Sequence, residues 1–125
     1  MKIALVTLIL LLSYKSHATI YQVGSTKTYL SPNELYLANV IQDGDTIEID
    51  AEIFTGQASL AAWQGNNLLI KGVGGRPSLV ANGQYIMGKG IWVLGGNDII
   101  VDNIDFSVAT TPDENGEGIR LDGIG

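Results

Sequence analysis

The sequence predicts an all-β solenoid of short parallel strands, about three coils long, with a helix closing its N-terminal end. Three observations carry that expectation. A strong helix signature stands near the start, short apolar runs broken by Gly and Asn fill the remainder, and those runs recur at spacings of 21 to 31 residues. At 125 residues the chain has room for one domain.

The first element is a leader. Lys2 precedes an apolar run from Ile3 to Leu12, and Ser16 and Ala18 put small residues at the −3 and −1 positions of a cleavage site. This is the layout of a signal peptide cleaved after Ala18, and the run falls short of the roughly 20 residues a membrane span needs. The expected division is therefore 1–18 signal peptide, 19–45 N-terminal segment with its capping helix, and 46–125 coils, in a secreted or periplasmic protein. Cleavage removes Lys2, Lys15 and the sole histidine, His17, leaving five basic side chains against thirteen acids and a net charge of −8 in place of −6. A chain with neither His nor Cys cannot build the usual zinc site, a thiol nucleophile, a Ser-His dyad or a disulfide. An acidic chain without a basic run is also a poor partner for nucleic acid or an anionic membrane.

The second element is a helix over residues 31–42. Ser31 is the N-cap, Pro32 takes the first helical position, and Glu34 completes a capping box. Leu35, Ala38, Ile41 and Leu37 give it an apolar face, and Gly44 in "DGD" ends it.

The strands follow. Shifted by 31, "QGNNLLIKGV" (64–73) lies over "GGNDIIVDNI" (95–104), bringing Asn66 to Asn97, Leu68 to Ile99 and Ile70 to Val101. A shift of 21 lays "DTIEIDA" (45–51) on "NNLLIKG" (66–72), and a shift of 28 lays "GKGIWVLG" (88–95) on "GEGIRLDG" (116–123). Ala51, Gly72 and Asn103 then share one column. Gly and Asn enter the left-handed region at least cost, so a one-residue bend there resets the inward and outward alternation between two strands.

Taken together, "YQVGSTKTYLSPNELYLANVIQDGDTIEIDAEIFTG", "GKGIWVLGGNDIIVDNIDFS" and "GEGIRLDG" resemble the N-terminal part of the pectate-lyase-like superfamily of right-handed parallel β-helices. The likeness covers about residues 21–123. The chain departs from the usual Gly-Thr-Tyr at Glu52-Ile53-Phe54. The resemblance implies an all-β right-handed parallel β-helix of about three coils with an N-terminal capping helix and an uncapped C-terminal end. It implies a piece of a longer protein, or an open last coil closed by self-association. It also implies a secreted protein acting on polysaccharide, most simply the inactive N-terminal portion of a polysaccharide lyase-like enzyme. Its alternative is a non-catalytic adhesin or glycan-binding module. In relatives the catalytic groups, an Arg or Lys base or paired Asp residues, generally lie on later coils, beyond residue 125, so no catalytic residue carries over.

Three sheets are expected: 46–50, 67–71 and 98–102; 53–55, 78–81 and 104–107; 59–63, 90–94 and 117–122. Leu60, Ala62, Ile91, Val93, Ile119 and Leu121 point inward in the third. Its outward face then gathers Trp63, Trp92, Arg120 and Asp122, with indoles for sugar rings and a guanidinium for a uronate carboxylate. A covering loop over the tryptophans, or a cation–π pair between Trp92 and Arg120, is the competing account. No metal site or cofactor is evident. Calcium could sit in the acidic loop of Asp113, Glu114 and Glu117, although a solvated turn explains those residues as well. "GVGGRP" (72–77) lacks the Lys-Ser/Thr and helix of a phosphate loop, which leaves Arg76 as an exposed turn residue. Asp98, Asp102 and Asp105 are expected to face outward beside buried Ile and Val.

Overall fold

The structure, a computed structural model, describes residues 18–107 and 117–122. Residues 1–17 of the expected signal peptide 1–18, and Asp113 and Glu114 of the expected acidic loop, lie outside the described residues.

Among the described residues ten short strands form three small sheets, and every strand pairing within them is parallel. The first sheet runs β1 (Ile20–Val23), β2 (Thr46–Asp50), β5 (Leu69–Val73) and β8 (Ile100–Asp102). The second runs β3 (Ile53–Thr55), β6 (Ser78–Val80) and β9 (Asp105–Ser107), and the third β4 (Ala61–Trp63), β7 (Gly90–Leu94) and β10 (Glu117–Leu121). Strands expected to share a sheet do share it, and β1 is an addition the sequence reading lacked.

The fold class itself is corrected. In place of an all-β right-handed parallel β-helix with a capping helix and an uncapped C-terminal end, the described residues form three separate small sheets with one α-helix and one 3₁₀ turn, and no closed winding is present among them. Parallel pairing of short strands does not by itself define one closed winding, and the spacing of the strand partners is uneven. Here partners lie 23 residues apart from Ile47 to Ile70, 31 from Ile70 to Val101, 25 from Ile53 to Ser78 and 27 from Gly90 to Glu117. The shifts of 21 and 28 are likewise replaced by 23 and 27.

The helix α1 is Pro32–Ala38, shorter than expected. Ser31 caps it as anticipated, its Oγ accepting from the Glu34 N–H at 3.1 Å. Asn39 ends it, taking a left-handed φ of 55° while its N–H donates to Tyr36 O. Leu35 is fully buried and Leu37 is exposed, so the apolar face is narrower than the spacing suggested. Asn33 Nδ2 donates to Leu60 O at 3.0 Å, tying α1 to the residue that leads into β4. Asp45, buried in the turn before β2, accepts from Thr19 N–H through Oδ1 at 2.9 Å and from Gln42 N–H through Oδ2 at 2.8 Å. One carboxylate thus joins the start of β1 to the segment leaving α1.

The turns entering β2, β5 and β8 repeat in three dimensions. Asp43 Oδ1 accepts from Asn66 N–H at 2.9 Å, and Asn66 Oδ1 accepts from Asn97 N–H at 2.8 Å. The next residues, Gly44, Asn67 and Asp98, all have left-handed φ, at 84°, 57° and 57°. Asp98 is therefore a turn residue, while Asp102 and Asp105 are exposed strand residues as expected. The bend column is only partly as read. Asn103 has φ 61°, but Gly72 is not left-handed and stands opposite Ile49, not Ala51. Gly72 is glycine for another reason: a Cβ there would collide with the Pro77 ring and the Asn103 carbonyl.

The core draws on all three sheets: Val23, Ile47, Ile49 and Ile70 from the first, Phe54 and Leu79 from the second, Trp63, Ile91 and Trp92 from the third, with Leu35 from α1. The expected alternation fails in the third sheet. Leu60, Ala62, Ile91 and Val93 are buried, and so are Ala61, Trp63, Trp92 and Leu94. β4 and β7 are covered on both faces, which is the meaning of an unbroken apolar run such as "GIWVL".

Candidate functional site

The structure separates the four residues expected to form an outward binding face. Trp63 and Trp92 do meet, their rings edge to face at 5.4 Å and 85°, but inside the core. Trp92 also packs edge to face on Phe106 at 5.1 Å, and its Nε1–H donates to Ser59 O at 2.9 Å. In register, Ala61 stands opposite Trp92 and Leu94 opposite Trp63. Arg120 stands opposite Val93, since β10 is registered one residue from the expected place, and Ile119 takes the position opposite Trp92. The Arg120 guanidinium reaches Glu117 at 3.5 Å, and Asp122 receives Lys89 Nζ at 2.6 Å. With Ile119 opposite Trp92 and the guanidinium turned to Glu117, no cation–π pair between Trp92 and Arg120 is found among the described residues, and the buried rings offer no flat surface for a sugar.

Of the acidic loop only Glu117 is described, and it is held by Arg120. Among the described residues no group of three or more His, Cys, Asp or Glu side chains is placed to hold a metal ion. Arg76 is the exposed turn residue expected, bonded through Nε to Asn103 Oδ1 at 3.3 Å and through Nη1 to Asp105 at 3.2 Å. No helix among the described residues is long and apolar enough to cross a membrane.

Concave places are also present among the described residues. A groove of about 280 Å³ lies beside β1, lined by Thr19, Ile20, Tyr21, Gln22, Thr28 and Tyr29. It exists because β1 is the edge of the first sheet and the chain turns back on it, Gly24 N–H donating to Tyr29 O at 3.0 Å. Tyr21 and Tyr29 meet edge to face at 6.0 Å, and Tyr21 is fixed by donating its hydroxyl to Val40 O at 3.2 Å. The side chains of Thr19, Gln22, Thr28 and Tyr29 make no hydrogen bond to the described residues. None of the six is charged.

The second place is a cavity of about 60 Å³ between the end of α1 and β4, lined by Tyr36, Asn39, Ile41, Ala62, Trp63 and Gln64. The left-handed Asn39 turns the chain so that Ile41 returns to the wall. Gly95 lets the Gln64 amide lie across the end of β7, since a Cβ there would come within 2.5 Å of Oε1. Trp63 Nε1 is buried without an acceptor. Sequence reasoning picked out Trp63 for its indole but on the wrong face. The tyrosines of the groove went unnoticed, although "YQVGSTKTY" places two aromatic residues on either side of a Gly-Ser turn.

The likeness to the pectate-lyase-like superfamily rests on the sequence motifs alone: no family model, no curated protein and no solved structure matches this chain.

Proposed function

We propose that the protein binds polysaccharide without cleaving it, in the groove beside β1. The observation that carries this reading is the uncharged aromatic groove itself. It has two tyrosine rings, with hydroxyl and amide groups from Thr19, Gln22, Thr28 and Tyr29 that have no partner within the described chain. At about 280 Å³ it lies near the small end of ligand pockets, a fit for one or two sugar units and not for a folded partner. An aromatic face covers the apolar side of a sugar ring while hydroxyls and amides exchange hydrogen bonds with its rim. The groove's lining supplies neither the two carboxyl groups of hydrolytic glycoside chemistry nor an Arg or Lys base for elimination, which favours binding over cleavage there.

The test is calorimetric titration of the mature protein with oligosaccharides of a neutral glucan, beside Tyr29→Ala. Saturable binding that falls about tenfold in the variant is expected, equivalent to about 1.4 kcal/mol. Absence of binding to any neutral or acidic glycan sinks the reading. Release of shortened or unsaturated products would overturn its non-catalytic half.

A further inference from the structure

The most buried carboxylate among the described residues has no cationic side chain beside it. Asp45 is 3% exposed, and charged groups are seldom buried unless they are paired. We infer that Asp45 is the receptor for the α-ammonium group of Thr19, a group created by cleavage of the leader after Ala18. The inference rests on that cleavage and is independent of what the groove binds.

Two unrelated observations meet at one peptide bond. In the sequence, Ser16 and Ala18 mark the bond between Ala18 and Thr19 for cutting. In the structure, the nitrogen of that same bond lies 2.9 Å from Asp45 Oδ1. Ala18 and Thr19 are exposed, so a chain end made there meets the carboxylate on one side and water on the other. Hydrolysis adds one water across the bond. The leader leaves with the Ala18 carboxylate, and Thr19 keeps its nitrogen as an amine, which is mostly protonated at neutral pH. The neutral N–H that Asp45 holds in the uncut chain becomes a charged donor at the same place. A charge-assisted hydrogen bond is roughly twice as strong as a neutral one.

The other cations of the chain are already engaged. Beyond Ala18 the sequence has five basic side chains, Lys27, Lys71, Arg76, Lys89 and Arg120. Each is held by a carboxylate other than Asp45, at 2.6 to 3.8 Å. Asp45 Oδ2 accepts from Gln42 N–H at 2.8 Å, which keeps the carboxylate oriented toward Thr19. In the uncut chain this buried acid has two neutral donors, and processing supplies its counter-ion.

The consequence falls on β1. Thr19 O accepts from Thr46 N–H at 2.9 Å, so the residue gripped by Asp45 also opens the pairing of β1 with β2. Removal of the leader tightens this strand, and the uncut precursor holds it less firmly.

The experiment determines the first residue of the exported protein and compares its urea unfolding with that of the same chain acetylated at Thr19. Acetylation keeps an N–H and removes the charge. Thr19 is expected as the first residue. Acetylation is expected to raise the unfolding equilibrium constant about fivefold to tenfold, and a chain beginning at Ala18 should match the acetylated one. In Asp45→Asn, acetylation is expected to make no difference. If that variant does not fold, acylation kinetics at neutral pH decide instead: the Thr19 amine should react at least about fivefold more slowly than the amine of the folded chain beginning at Ala18. A different first residue, an acetylation effect below about twofold, an equal effect in Asp45→Asn, or equal acylation rates would overturn the inference.

Discussion

The first and third sheets use the same parallel pairing and meet water in opposite ways. The outer face of the first sheet carries a row of polar side chains in register, Gln22, Glu48, Lys71 and Asp102, one from each strand. Lys71 sits between two acids and reaches Glu48 at 3.8 Å. In the third sheet, β4 and β7 have no wet face at all, and two indoles meet where the sequence pattern had placed a binding surface. One sheet spends its alternation on solubility. The other abandons it to build the centre of the core.

The sharpest way to break that contrast is Trp92→Ala. It removes two edge-to-face contacts and the donor to Ser59 O, and a truncation of this kind costs about 3–5 kcal/mol. Because whole domains are stable by about 5–15 kcal/mol, urea unfolding is expected to show a large fall in midpoint or no folded baseline. A loss below about 1 kcal/mol would show that the indole is not a packed centre.

Asp45→Ala is expected to cost less, about 1–3 kcal/mol, by leaving the Thr19 and Gln42 N–H groups without their acceptor. Hydrogen exchange should localise the loss to β1 and to the segment after α1. Protection lost uniformly along the chain would mean that Asp45 does not act as a local tie. The smallest effect belongs to the first sheet's outer row. Lys71→Ala is expected to change stability by no more than about 0.5 kcal/mol, as for a partly exposed pair screened by water. A change above 1 kcal/mol would remove the distinction between the two sheets.

The parts of this arrangement that were legible in the sequence are those governed by local chemistry. Ser31 and Pro32 announce the start of α1, and the Asn66/Asn97 match announces the turns because Asn enters the left-handed region cheaply. The strands could be grouped because matching runs pair. What could not be read were quantities set at a distance. Nothing local in "SLAAWQ" says that Trp63 faces Trp92. The choice of inward face depends on what covers the other one, and here both were covered. The displacement of Arg120 away from Trp92 is a one-residue shift in β10, and a gapless comparison of "GKGIWVLG" with "GEGIRLDG" conceals it. The fold class was not legible for a related reason, since short repeated strands announce parallel pairing but not the architecture that the sheets build.

The chain of side-chain contacts from Asp43 through Asn66 to Asn97 has one more implication. Its two hydrogen bonds are nearly the same length, 2.9 and 2.8 Å, although their partners lie 23 and 31 residues apart in the chain. Strand alignment is therefore set at the rungs and is indifferent to how far the polypeptide wanders in between. A lineage, or an engineer, can lengthen a connecting loop without renegotiating the pairing of the sheets. The same device that orders the molecule makes it permissive to insertion.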